Sequence, residues 1–556
     1  MSSISSFPVA QSQLDLRQAQ YQKNREEWKP IMEKFDAALA ESCAEGDSRS
    51  LLRHQSRGQL LGMAEKYTHT DWSPDKIIAR DRVALLLDQD SPFLELGAFA
   101  GYGLDDSNAC ANLLAGIGAV SGRPCLVLSH IPTQSGGAWN EYTVIKQNRV
   151  TEIATENNLP IVALVQSAGV FLPKQFSVFH KGGQIFRDLA VRSQLGQLSC
   201  AVVFGSSTAG GAYHPALSDY SIFVKDQAQV FLGGPPLVKM ATGEVIEAEE
   251  LGGAKIHASV TGLADQIASD EFDAIRKARE WVASLPAQPV APEIQTPRPP
   301  RYSAEDIMSL VNPDIRKPFD MGEVLLRIVD DSRLSVFKPS YGRNLITAWA
   351  KILGHTVGIV ANQMPVINSD EASKGAQFIR LCNQQDTPLV FMHNVTGFMV
   401  GPKAEHSGII KRGAQLVSAV SCSRVPHISV ICGASYGAGN YAMCGRAYRP
   451  RFLFAWPTGR CSVMGPDQLA GVMELVERSS AASKGDALDE GELAARVERF
   501  RDSVQRDSEC YRTSAVGLDD GIIDPRDTRD VLGMCLDIVG AGGVKGADSH
   551  RVLARM

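Results

Sequence analysis

Residues 427–446 read HISVICGASYGAGNYAMCGR, and residues 198–215 read LSCAVVFGSSTAGGAYHP. Both pass from an apolar, β-branched run into small residues and then into a stretch that can be helical, which predicts a strand, a tight turn and a helix start. Such a turn presents unpaired backbone N–H groups. With almost no side-chain bulk at Gly210, Gly211, Ala438 and Gly439, a carbonyl oxygen can approach the main chain, where the helix-start dipoles stabilise developing negative charge. Two such oxyanion sites call for two electrophilic carbonyls.

Outward from these turns the chain repeats itself. RDRVALLLDQDSPFLELGAF from Arg80 pairs with VLLRIVDDSRLSVFKPSYG from Val324, and GAVSGRPCLVLSH from Gly118 pairs with KILGHTVGIVANQ from Lys351. NNLPIVALVQSAGVFLP from Asn157 pairs with QQDTPLVFMHNVTGFMVGP from Gln385, and VFLGGPP from Val230 with CSVMGPD from Cys461. The offset stays near about 230 residues in a fixed order, the signature of internal duplication. Each half alternates short strands with helical stretches, which predicts an α/β domain. The proline-rich stretch PAQPVAPEIQTPRPP at 286–300 separates the halves. A charged, helix-forming stretch at about 11–66 reads as an arm. The expected organisation is an arm over 1–70, domains over 71–285 and 301–556, and a linker over 286–300.

At 556 residues the chain exceeds what one core organises, and 44% hydrophobic with 21% charged residues is ordinary for globular proteins. A net charge of −6 with no run of Lys and Arg argues against nucleic acid. The 11 cysteines form no C-x-x-C pair and several sit in apolar runs, so neither structural zinc nor any other metal is expected, and the compartment is read as reducing. No signal-peptide core or membrane-length apolar run is present, which predicts a cytoplasmic protein.

Three short motifs compete for function. Residues 433–437 (GASYG) satisfy the G-x-S-x-G nucleophile elbow, with Asp524 and His550 following in hydrolase order. The echo turn puts Ser207 in the same place but ends on Ala209, so a serine hydrolase built on Ser435 is a remote alternative. Residues 437–442 (GAGNYA) fit G-x-G-x-x-A, yet the acidic residue expected about 20 positions on is missing from RPRFLFAWPTGR. Residues 237–240 (LVKM) resemble the surroundings of a biotinylated lysine, but lie in FLGGPPLVKMATGE with no small carrier domain, so Lys239 reads as a helix-start lysine and the chain is expected to carry no biotin of its own.

SPFLELGAFAGY (from Ser91), STAGGAY (from Ser207), FLGGPPLVKMATGE (from Phe231), LGGAKIH (from Leu251), NVTGFMVG (from Asn394), SYGAGNYAMCGRAYRPRFLFAWP (from Ser435) and DDGIIDPRDTR (from Asp519) occur in order. In these stretches the chain resembles the carboxyltransferase (β) subunits of biotin-dependent acyl-CoA carboxylases, and among them the methylcrotonoyl-CoA carboxylase β subunits. The resemblance implies two tandem crotonase-like α/β domains, an acyl-CoA substrate, and biotin on a carboxylase and carrier (α) subunit. It also implies a homo-oligomer, a hexamer built from dimers with sites between subunits.

By that resemblance the Gly210 and Gly211 amides hold the enolate oxygen of the acyl-CoA thioester, and the Ala438 and Gly439 amides hold the ureido oxygen of biotin. Thr208, Ala209, Tyr213, Phe186, Arg187, Lys146, Arg149, Asn440 and Tyr441 fall among the substrate-binding residues. Asn440 and Tyr441 flank the second turn, and Gly397, Phe398, Met399 and Val400 fall on the biotin side. With both oxyanions held by backbone, no side-chain base is required, in keeping with histidines that form no evident cluster.

The first half departs from the family pattern. S-G-G-A-N/R-L-P becomes residues 167–173 (SAGVFLP), P-G-G-G-I becomes residues 111–117 (ANLLAGI), and Arg187 stands where an aromatic is usual. An insertion begins at Gly62. An Arg187 facing the acyl pocket would favour a polar or carboxylated acyl tail, whereas one turned outward would leave a 3-methylcrotonyl-type substrate. A related acyl-CoA decarboxylase and a non-catalytic scaffold subunit remain as alternatives, the retained glycine turns speaking against the scaffold.

Overall fold

Apolar β-branched runs such as IVALVQS and HISVICGASY become fully buried central strands, as expected of parallel sheets covered on both faces. The computed structural model describes residues 7–44, 79–105, 107–286, 296–484 and 488–546. The insertion after Gly62, most of the linker and His550 lie outside the described residues. Two compact units form, one of Ala37–Pro289 with Ala515–Gly517, the other of Met1–Asp36, Val290–Ser514 and Leu518–Met556.

In the first unit the strands are β1 (Leu94–Glu95), β2 (Leu113–Val120), β3 (Arg123–His130), β4 (Ile161–Ser167), β5 (Ser199–Thr208), β6 (Tyr220–Val224), β7 (Gln229–Phe231) and β8 (Gln266–Ala268). They pair in the order β1-β2-β3-β4-β5-β6-β8, with β7 on the end of β5. The first two pairings are antiparallel and the others parallel.

The second unit repeats this with β9 (Leu334–Val336), β10 (Leu345–Ile352), β11 (His355–Asn362), β12 (Leu389–Val395), β13 (His427–Tyr436), β14 (Phe452–Ala455), β15 (Arg460–Ser462) and β16 (Gly521–Ile522). Each strand pairs as the one eight earlier does, including β15 on the end of β13. The duplication read from sequence spacing is thus matched strand for strand in two mixed α/β units.

Helices cover the sheets: α2 (Glu141–Glu156) and α3 (Gln175–Gln194) in the first unit, α4 (Ser369–Gln384) and α5 (Ile409–Cys422) in the second. Asn140 and Asn368 start α2 and α4 with the same capping box, satisfying helix-start donors at equivalent places. The N-terminal helix α1 (Ala19–Ser42) is anchored by its side chains. Its Asn24 and Trp28 side chains donate to the Ser309 and Val311 carbonyls at 2.8 and 2.9 Å. No helix among the described residues is long and apolar enough to cross a membrane.

Beside the first sheet, Arg82 is buried against Glu271 at 3.0 and 3.2 Å, donates to Gln166 Oε1 at 3.0 Å and lies over the Phe204 ring. Removing one partner strands the other charge in the interior. Glu271→Ala is expected to cost about 3–5 kcal/mol, whereas Lys181→Ala, which breaks an exposed pair with Glu141, should cost less than about 1 kcal/mol. Urea unfolding of the two variants checks the contrast, and equal losses would contradict it.

Candidate active site

The two quoted stretches fold alike. β5 ends at Thr208 and enters a helical turn Ala209–Ala212; β13 ends at Tyr436 and enters the helix Gly437–Ala442. The first residue of each turn is left-handed, Ala209 at φ 51° and Gly437 at φ 54°. That reversal swings the chain from strand to helix in one residue, so the next N–H groups start a helix with no intrahelical acceptor. These belong to Gly210 and Gly211 in the first unit and to Ala438 and Gly439 in the second.

Each turn is held against the loop after the preceding strand. A Cβ on Gly211 would lie 3.0 Å from Ser207 Oγ and 3.4 Å from Ser167 Cβ. One on Gly439 would lie 2.7 Å from Val395 Cγ2 and 3.1 Å from Gly397 Cα, so something would have to shift. At the outer positions there is room: Gly210 is half-buried and Ala438 is exposed with its methyl group in place. The departure at 167–173 keeps its place here, since Gly169 (φ 82°) accepts from Trp139 N at 2.8 Å and would clash with Thr208 O if it carried a side chain.

The linings differ. Around Gly210 stand Trp139, Phe186 and Tyr213, with ring centroids 6.2 Å apart for Trp139 and Phe186 and 5.6 Å for Phe186 and Tyr213. Phe186 and Trp139 each come within 3.6 Å of the point where a Gly210 Cβ would sit, making an apolar wall. In the second unit a cavity of about 1080 Å³ opens at Gly437 and Ala438, with Gly397, Phe398, Met399 and Val400 in its lining. Val366 and Ile367 pair with Gly397 and Phe398 as a short parallel ribbon, and Met399 N donates to Ile367 O at 2.9 Å. The ribbon leaves Val400 81% exposed.

Several residues expected at ligands are used by the fold instead. Lys146 is buried, and its ammonium donates to the Leu113 and Cys110 carbonyls and lies 3.1 Å from Cys110 Sγ. Its counterpart Lys374 donates likewise to Leu345 O at 2.8 Å and Gly342 O at 3.2 Å, and burial pushes its pKa down to about 8. Both lysines therefore hold the start of a strand, and the Lys146 ammonium is engaged within the fold. Arg149 pairs with Glu152 at 2.8 Å. Arg187 is 72% exposed at its side chain and pairs with Asp188 at 2.8 Å, outside the aromatic wall. Tyr441 is exposed, but Asn440 is buried and donates its amide to Ser435 Oγ at 2.9 Å.

That contact also removes the hydrolase reading. Ser435 is fully buried, with His393 Nδ1, itself buried, 2.9 Å from its hydroxyl. No substrate carbonyl reaches it, and the Ser435 hydroxyl orients Asn440 inside the turn. Lys239 lies in the last turn of the helix Pro235–Thr242, not at its start.

Beneath the first turn lies a cluster that the sequence did not announce. His130 Nε2 accepts from Trp139 Nε1 at 3.1 Å, and His214 packs edge-on at 6.4 Å with Gln147 at 3.3 Å from its Nδ1. Burial lowers the pKa of His130 and His393 to about 3, and of His214 and His427 to about 4. All four are neutral at pH 7. The 3-D proximity of residues 84 positions apart has no periodic signature, so spacing could not have revealed it.

With this geometry in view, comparison with known proteins gives a consistent answer. The carboxyl transferase domain family matches residues 72–552. The chain is 46% identical over 544 residues to a probable biotin-dependent acyl-coenzyme A carboxylase beta2 subunit of Mycobacterium tuberculosis, covering 98% of this chain and 99% of that one. It is 43% identical over 518 residues to the biotin-dependent 3-methylcrotonyl-coenzyme A carboxylase beta1 subunit of the same organism, covering 92% and 94%. The crystal structure of the Pseudomonas aeruginosa geranyl-CoA carboxylase beta subunit superposes with a TM-score of 0.86 at 38% identity, covering 98% and 100%. The chain belongs to the carboxyl transferase domain family, as the carboxyltransferase (β) subunit of a biotin-dependent acyl-CoA carboxylase.

The neutral histidines set an acid limit on stability. Their folded pKa values lie below the ordinary 6.5, so the stability they carry is present above about 6.5 and is lost as pH falls toward about 4. Asp519, raised to about 7 by burial, acts in the opposite sense over the same window. The net expectation is uptake of about three protons per chain on unfolding near pH 5. Tm measured from pH 7 to 5 should fall, and His393→Asn should flatten the slope; a Tm that stays level or rises would refute the reading.

Proposed function

We propose that the chain moves the carboxyl group of carboxybiotin, presented by a separate biotin-carrying α subunit, onto an acyl-CoA with an apolar acyl chain of the 3-methylcrotonyl type. The observation that carries this is the pair of equivalent strand-to-helix turns, each opened by a left-handed residue. One has an aromatic wall and the other a cavity, which fits two different carbonyl ligands.

At the first turn the Gly210 and Gly211 N–H groups lie where a thioester oxygen gains negative charge as the acyl carbon loses its proton. Trp139, Phe186 and Tyr213 exclude water from that carbon and favour an apolar chain over a charged one, because a carboxylate against three rings would be left unpaired. With Arg187 paired to Asp188 outside this wall, the polar-tail alternative loses the residue that motivated it. At the second turn, the residues present fit a bicyclic ring on a flexible arm. Phe398, Met399 and Val400 offer apolar contact, and Ala438 and Gly439 offer N–H groups for a ureido oxygen. Carboxylated biotin, when bound, supplies the CO₂ and then the ureido nitrogen that accepts the acyl-CoA proton. No side-chain base of this chain takes part, since the histidines under both turns are buried and neutral.

We further read the chain as one subunit of a homo-oligomer of the hexamer type, in the cytoplasm, with two crotonase-like units. The exposed Phe176, Phe179 and Leu195 on and after α3 support self-association. The eleven unpaired cysteines support a reducing compartment.

Ala438→Val places a branched side chain in the cavity at an exposed position. It should leave Tm unchanged while lowering turnover on the order of 100-fold. Ser435→Ala deletes the buried hydrogen bonds to His393 and Asn440, should cost about 1–3 kcal/mol of stability, and should retain turnover within about tenfold. Abolition of activity by Ser435→Ala with full activity in Ala438→Val would reverse the assignment.

The chain by itself should fix no labelled bicarbonate with ATP, and should do so once a biotin carboxylase and carrier subunit is added. In that reconstituted system, 3-methylcrotonyl-CoA should be favoured over glutaconyl-CoA by more than about tenfold. The opposite preference would return a polar acyl tail to the pocket.

A further inference from the structure

Carboxylates outnumber lysines and arginines in this chain, 62 to 56, which makes one cleft of the second unit an exception. It lies between the loop after β9, the helix α4 and the start of α5, and has a volume of about 860 Å³. Its lining carries Lys338, Arg380, Lys411 and Arg412 together with His406, and contains neither Asp nor Glu. The carboxylate that meets these groups is Asp370, which takes Arg412 at 3.1 Å and the Tyr341 hydroxyl at 2.9 Å. Glu371 beside it is buried and occupied with the Asn344 and Asn368 amides. The cleft thus gathers four basic side chains in a lining without a carboxylate, and Asp370 takes one of them, Arg412.

Such a concentration of like charge raises the energy of the empty cleft and focuses a positive potential into it. The 14-residue helix α5 begins at the cleft. Its N-cap is Gly408 (φ 78°), without any side-chain cap, so the first-turn N–H groups add to the positive field. Lys338 is oriented, with its ammonium on Gln377 Oε1 and 5.4 Å from the centroids of both Phe337 and Tyr341. The Tyr341 ring is exposed and shares the wall with the cations, leaving a flat face for a base.

We propose that this cleft binds a nucleoside diphosphate, its phosphates between Lys338, Lys411 and Arg412 and its base against Tyr341. The volume lies within the range of about 300–1000 Å³ usual for small-molecule sites. Arg412, fixed by Asp370, presents its remaining guanidinium N–H groups in the planar fork that matches a phosphate. The same chemistry is offered by a free nucleotide such as ADP and by the adenosine diphosphate end of coenzyme A. The cleft shares no lining residue with the cavity at the second turn, and the proposal does not depend on the acyl or biotin assignments.

The test uses the full chain, with ADP, coenzyme A and inorganic pyrophosphate titrated by calorimetry, and a photoreactive azido-adenine analogue of ADP to locate the bound base. ADP should bind with an affinity that weakens as salt rises from about 0.05 to about 0.5 M. The label should map to Tyr341 or to the facing turns of α4 and α5. The double variant Lys338→Glu with Lys411→Glu should lose at least about tenfold in ADP affinity with an unchanged Tm. Coenzyme A competing for the labelled site at least about tenfold more tightly than ADP identifies the coenzyme tail as the source, and equal or weaker competition identifies a free nucleotide. Labelling elsewhere, ADP binding unaffected by the double variant, or an acidic peptide binding where ADP does not would each overturn the proposal.

Discussion

Everything at the two sites depends on a single backbone constraint, the passage from a buried central strand into a helix within one residue. Gly437 adopts the left-handed conformation without steric cost; Ala209 does so at about 1 kcal/mol or more, because its Cβ crowds the following carbonyl. The conformation persists because the surroundings over-determine it. Ser167 pairs with Ser207 after a register shift in β4, and Val395 pairs with Ser435 after the same shift in β12. The shifted loops press Gly169 against Thr208 and Gly397 against Gly439, leaving the turn no room to relax. What this fixes in space is a pair of helix-start N–H groups, which under the proposed function would hold an oxyanion without reorganisation.

Duplication preserved that backbone and varied what surrounds it. The capping asparagines, the strand-holding lysines and the left-handed first residues recur at matching positions, so they answer to the architecture. The residues that do not recur carry the difference in chemistry. Trp139, Phe186 and Tyr213 build a wall in one unit, whereas the ribbon of Val366–Ile367 with Gly397–Phe398 lies at a cavity in the other. Comparing a protein with its own second half thus separates what the fold requires from what a ligand requires, without any alignment of relatives.

The strands, their order and both turns were legible because each leaves a local record: β-branched runs, small residues at the bend and a constant offset. The uses of individual polar side chains were not. Lys146 and Asn440 both read as substrate contacts, since a residue type states what a group can bond and is silent on whether the fold has already engaged it. Lys146 is engaged by the Leu113 carbonyl and Asn440 by Ser435. The His130 and His214 pair, and the basic cleft at Lys338 and Lys411, escaped for the related reason that distant segments meet only in three dimensions. Arg187 was legible as a dilemma, inward with a partner or outward, and it stands outward on Asp188.

The buried histidines explain why catalysis by backbone suits this fold. A histidine serving as base near a reacting carbon must be solvated enough to carry charge on accepting a proton. His130 and His393 lie under the turns, where burial keeps them neutral to about pH 3, so each can fix a neighbour by hydrogen bonding but cannot hold a proton. His130 orients Trp139, and His393 orients Ser435, which in turn orients Asn440 within the helix that carries the Ala438 and Gly439 amides. Charge is therefore kept out of the supporting layer, and under the proposed function it would appear only on the ligands, where the peptide dipoles meet it.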